Sequence, residues 1–126
     1  SLKQLITNGK NAMTIDEEYV YVALSDRGVA KIKLSNGQLI STFEPRSFKL
    51  NGQNVFSKTG LTNAVAINNC YLYLANGTDG VTVLNKNSFN VVGYLKLGGS
   101  SNYIYTNNHL MYVSTGKSGL NIIKVN

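Results

Sequence analysis

Hydrophobic positions along this chain come in short runs of four to seven residues, separated by clusters of Gly, Asn, Asp and Ser. The runs are rich in Val, Ile, Tyr and Thr, side chains that suit a pleated, half-buried strand better than a helix. Such runs, Tyr19 to Leu24 and Tyr71 to Ala75 among the longest, are far too short to span a bilayer. The pattern predicts strands throughout. Turns such as Asn36-Gly37 between them supply the positive φ that tight hairpins need.

The runs also repeat. The first copy reads Asn11-Ala12-Met13-Thr14-Ile15, Asp16-Glu17-Glu18, Tyr19-Val20-Tyr21-Val22-Ala23 and, after a loop, Gly28-Val29-Ala30-Lys31-Ile32. The second reads Asn63-Ala64-Val65-Ala66-Ile67, Asn68-Asn69-Cys70, Tyr71-Leu72-Tyr73-Leu74-Ala75 and later Gly80-Val81-Thr82-Val83-Leu84. The third reads Asn102-Tyr103-Ile104-Tyr105-Thr106, Asn107-Asn108-His109, Leu110-Met111-Tyr112-Val113-Ser114 and later Gly119-Leu120-Asn121-Ile122-Ile123. From the opening Asn to the Gly is 17 residues each time, at Asn11 to Gly28, Asn63 to Gly80 and Asn102 to Gly119. One supersecondary unit used three times is the simplest source of that register. The second strand of each unit is apolar on both faces, which suits a small sheet held between neighbouring sheets.

A fourth element follows two of the copies, Gln38-Leu39-Ile40-Ser41-Thr42 after the first and Phe89 to Leu95 after the second. The start of the chain carries Gln4-Leu5-Ile6-Thr7, nearly the same letters, and nothing follows the third copy. With strands named A to D, the order is D, ABCD, ABCD, ABC. The expected fold is all-β, a β-propeller-like array of three four-stranded antiparallel blades in one domain spanning residues 1–126. Blade 1 covers about 11–45, an inserted hairpin about 46–60, blade 2 about 63–97 and blade 3 about 102–126.

With Tyr-Val-Tyr-Val-Ala, Tyr-Leu-Tyr-Leu-Ala and Gly-Leu-Asn-Ile-Ile in view, residues 11–126 resemble the bacterial LVIVD and YVTN β-propeller repeats. The Trp-Asp and Gly-His signatures of WD repeats are absent. The resemblance implies an exported, periplasmic or surface-located protein that serves as a binding platform. Three blades fall short of the roughly four to eight of closed propellers. They predict two apolar end faces and an unpaired outer edge on blade 3. Residues 3–8 of a second copy could complete that blade, so that two chains make a six-bladed ring. The competing expectation is a piece of a longer propeller.

Charge adds little to this picture. Twelve Lys and Arg against 6 Asp and Glu give +6, but the cations are scattered singly, with no basic stripe or aromatic platform. Solubility charge is the favoured reading, and nucleic acid is not expected as a partner. No signal segment opens the chain, which fits either a protein that is not exported or a start after processing. A single cysteine, Cys70, can form no internal disulfide.

Strands that run up and down put the B–C loops and D–A junctions at one end, where variable loops gather and a ligand is expected. The residues placed on that face are Asp26, Arg27, Thr78, Asp79, Lys117 and Ser118. The insertion adds Arg46, Phe48, Lys49, Phe56 and Lys58. Around the turn Asn51-Gly52 it should pair Leu50 with Gln53 and Phe48 with Val55. It is read either as a projecting ribbon that grips a partner or as a loop packed on its own blade, the Phe residues serving as cover.

Cys70 and His109 share the turn slot of Glu18 and read as ordinary turn residues. The sequon Asn76-Gly77-Thr78 is explained by turn geometry, and tyrosines 19, 21, 71, 73 and 112 by packing between blades. No residues have the spacing of a catalytic or metal-binding set, so no cofactor is expected. The favoured function is a non-enzymatic module binding a protein or glycan. The alternative is part of a lactonase- or quinoprotein-like enzyme whose site is completed by blades outside this chain.

Overall fold

The structure, a computed structural model, describes residues 12–56, 61–107 and 109–125. Among them there is no α-helix, and every sheet is antiparallel. The first sheet has the order β1 (Met13–Ile15), β2 (Tyr19–Ala23), β3 (Val29–Lys33), β4 (Leu39–Phe43). A small hairpin follows, β5 (Lys49–Leu50) with β6 (Gln53–Asn54). The second sheet is β7 (Ala64–Asn68), β8 (Tyr71–Ala75), β9 (Val81–Asn85), β10 (Val91–Leu95). The third has three strands, β11 (Tyr103–Asn107), β12 (Leu110–Ser114) and β13 (Leu120–Lys124). These are the strands expected from the repeat, in the expected order. Residues 3–8 and Asn11 lie outside the described residues, as do Lys58 and Asn108.

Several boundaries shift by one or two residues, and one shift has a structural cause. The fourth strand of the second sheet starts at Val91, not Phe89, because Phe89 takes the turn position held by Gly37 in the first sheet. Both have a left-handed backbone, at φ 61° and 72°. Phe89 tolerates that conformation while its ring is buried and stacked on Tyr21 at 6.4 Å.

Each loop between the second and third strands is the same turn. The N–H groups of Leu24, Asn76 and Thr115 donate to the carbonyls of Gly28, Gly80 and Gly119 at 2.7, 2.8 and 2.8 Å. Those glycines have φ of 81°, 88° and 70°. A Cβ on Gly28 or Gly80 would also collide with a carbonyl of the adjoining fourth strand, that of Phe43 or Leu95. A Cβ on Gly119 meets nothing within 4 Å, since no described strand lies on the outer side of β13.

The sheets stack face to face, with β1, β7 and β11 closest together. The first core lies between Tyr21, Ala23 and Val29 of the first sheet and Val65, Leu72, Leu74 and Leu84 of the second. The second core joins Tyr73 and Val81 of the second sheet to Met111 and Val113 of the third. The middle sheet is thus covered on both faces, as its doubly apolar strands require. Bridges from Ser25 to Thr62 and from Gly77 to Ser101 tie the loop of one sheet to the start of the next. The asparagine that opens a repeat has a part in this. Asn63 Nδ2 donates to Asn102 Oδ1 and to the Ser101 carbonyl, each at 3.3 Å.

A buried polar pair inside the loops is swapped between two repeats. Asn76 Nδ2 donates to Thr82 Oγ1, and in the third sheet Asn121 Nδ2 donates to Thr115 Oγ1 at 2.9 Å. Leu24 and Ala30 fill the same two slots in the first sheet. Either order satisfies the pair, so compensation is testable. Asn76→Thr and Thr82→Asn singly should each cost about 1–3 kcal/mol, and the double variant should recover most of that loss. Urea unfolding of the four proteins reads the coupling.

Candidate interaction surfaces

The loop end holds the predicted ligand residues unevenly. Arg27, Thr78, Lys117 and Ser118 are exposed on the repeated turns, and Asp26 is half-buried. Asp79 is buried, so its carboxylate is turned into the protein and cannot present itself to a partner. The turn holds it there: its N–H donates to the Asn76 carbonyl at 3.1 Å.

The inserted hairpin has the expected register, Leu50 opposite Gln53, with φ of 53° and 79° at Asn51 and Gly52. Its strands and turn, residues 49–54, are exposed, while the residues that flank them pack down. Phe43, Phe48, Phe56 and Tyr94 form a chain of rings 6.0–6.4 Å apart that runs from β4 across the hairpin to β10. Phe56 is buried in that row and Phe48 is half-buried, so neither is a free gripping residue, whereas Lys49 is exposed and Arg46 half-buried. Through this ring row the insertion braces two sheets.

At the opposite end, turn residues 18, 70 and 109 share one task. Their carbonyls accept from the N–H of Leu34, Lys86 and Val125 at 2.9, 2.8 and 2.6 Å. Only the backbone is used, so Glu, Cys and His are interchangeable there, and all three are exposed. Among the described residues no three His, Cys, Asp or Glu side chains converge as a metal site would require. No helix among them is long and apolar enough to cross a membrane.

The same end holds a network that was not foreseen. Lys31 is buried between the first two sheets, where Nζ donates to the Lys86 carbonyl at 3.0 Å and lies 4.2 Å from the centre of the Tyr19 ring. Burial pushes its pKa down. Beside it Asp16 accepts from the N–H groups of Glu18 and Tyr19 at 2.9 and 2.8 Å and from the Tyr21 hydroxyl at 3.0 Å. Lys86 Nζ lies 3.3 Å from the same carboxylate. Burial alone would raise the Asp16 pKa, but these donors outweigh it and hold the carboxyl below its usual range. Burial, then the Asp16 charge, raises the Tyr21 phenol. The signal in the sequence was a lysine at the slot of Val83 and Ile122. The arrangement locks one sheet to the next, with every polar group in it committed to a partner within the protein.

The most exposed apolar surface is on the sheets themselves. Met13, Ile15 and Leu39 on the outer face of the first sheet are 68%, 59% and 53% exposed. Their counterparts in the second sheet are Val65, Ile67 and Val91, which pack in the first core. On the outer face of the third sheet Tyr105, Leu120 and Ile122 are 63%, 61% and 59% exposed. Leu120 stands where Val29 and Val81 are fully buried. Of the five tyrosines assigned to packing, Tyr21 and Tyr73 are buried, Tyr19 and Tyr71 pack against the cores, and Tyr112 lies on this open face.

No protein-family model matches the chain, and no curated protein matches it in sequence. Among solved structures it is similar to the computationally designed Ika4 protein, at a TM-score of 0.68 and 12% identity. It is also similar to the computationally designed Ika8 protein, at 0.68 and 9%. At such identities the likeness is one of fold. Each match covers 90% of this chain, which spans 64% of the first protein and 32% of the second.

Proposed function

We propose that this chain is a non-enzymatic interaction module of the β-propeller kind, three blades of an LVIVD- or YVTN-type array from an exported bacterial protein. Its binding surfaces are the outer faces of its first and third sheets. The observation that carries this reading is the exposure of Met13, Ile15, Leu120 and Ile122 at positions that the internal sheet junctions fill with core. A repeat unit covers its apolar faces only by stacking, and bare end faces call for another folded unit. The fold likeness to two longer designed chains of different lengths, each over 90% of this chain, supports an array that can be extended. Sedimentation velocity across the micromolar range tests it. Species heavier than the monomer that grow with concentration are expected; a strict monomer at every concentration would overturn the reading.

A further inference from the structure

The two bare faces are the two halves of a junction that already occurs twice within the chain. In each internal junction one partner is the face with positions 21, 23 and 29 or their equivalents. The other is the face with positions 13, 20, 22 and 32 or their equivalents, such as Val65, Leu72, Leu74 and Leu84. The third sheet leaves the first kind open, with Tyr112 and Leu120. The first sheet leaves the second kind open, with Met13 and Ile15.

Resting on the reading above, we infer that the partner is a second copy of this chain, docked head to tail, its first sheet against the third sheet of the other. Such a contact is heterologous, and it closes only if the rotations add to a full turn. Two copies give six sheets, within the range of closed propellers, whereas three give nine and fall outside it. Tyr103 and Tyr105 replace Ala64 and Ala66 on the innermost strand, so the inner edges stand further apart at this junction than at the internal ones.

No described strand lies along the outer edge of β13. A gap of about 380 Å³ lies beside it, lined by Tyr71, Tyr73, Val83, Leu95, Met111 and Ile123 among others. In the other two sheets a fourth strand fills that place, pairing Leu39 with Ile32 and Val91 with Leu84. Ile123 is the equivalent of Ile32 and Leu84, so the place of a fourth strand beside it is open.

The test uses one charge on each face. Met13→Glu spoils only the first-sheet face and Leu120→Glu only the third-sheet face, and both positions are exposed enough to leave the fold intact by circular dichroism. Each variant alone should associate at least about a hundredfold more weakly than the unmodified chain. An equimolar mixture should again form dimers, because one junction in it joins two unspoiled faces. Self-association of either Glu variant at full strength, or a mixture that stays monomeric, overturns the head-to-tail docking while the interaction-module reading stands. A chain that never associates overturns both.

Discussion

Replacing Gly80 with alanine is expected to destabilise the fold by about 4–6 kcal/mol, while the same change at Gly119 costs about 1–3 kcal/mol. The backbone term is shared. Gly119 has φ 70° and ψ −142°, a region that is essentially glycine's own, and Gly80 sits in the same hydrogen-bonded turn at φ 88°. The difference is steric. At Gly80 the added carbon runs into the Leu95 carbonyl of β10, and a backbone neighbour in a sheet cannot step aside as a side chain can. At Gly119 there is open space. Urea unfolding of the two variants measures the gap, and equal losses would contradict the part given to the fourth strand.

Tyr21→Ala is expected to cost about 3–5 kcal/mol, and Tyr112→Ala at the same repeat position about 1 kcal/mol in the monomer. Tyr21 is fully buried, its ring packed on Phe89 and its hydroxyl given to Asp16. Truncation opens a cavity and strands part of a polar network as well. Tyr112 lies half-buried on the open face, 6.1 Å from the Tyr105 ring, so truncation there removes surface that water already reaches. Thermal unfolding at low protein concentration separates the two. A Tyr112 loss as large as that of Tyr21 would mean that the face is covered even in the monomer.

Much of the chain was legible because a β-repeat writes its constraints locally. The 17-residue step from Asn to Gly marks a turn of fixed shape, and short β-branched and aromatic runs between turn residues mark the strands. The Asn51-Gly52 pairing was equally plain, being set by backbone dihedrals that few residues adopt. The candidate ligand face was less so. Asp79 and Phe56 are polar-loop and insertion residues in the sequence, yet one is turned inward and the other packed between Phe48 and Tyr94. Loop side chains take their direction from contacts remote in sequence, which no local pattern reports.

By itself the sequence determined the strands, their order, the turns that join them and the positions apolar enough to face a neighbour. Short-range sterics and hydrogen bonding decide those matters, and they act within a repeat. Only the tertiary structure decided which of these faces finds a neighbour. Val65 and Met13 occupy one position in the repeat, but one is core and the other bare, because burial depends on what stacks above. The inward lysine at position 31, the swapped Asn–Thr pairs and the bracing hairpin belong to the same level. Each is a contact between segments distant in sequence, and such contacts exist only once the sheets have come together.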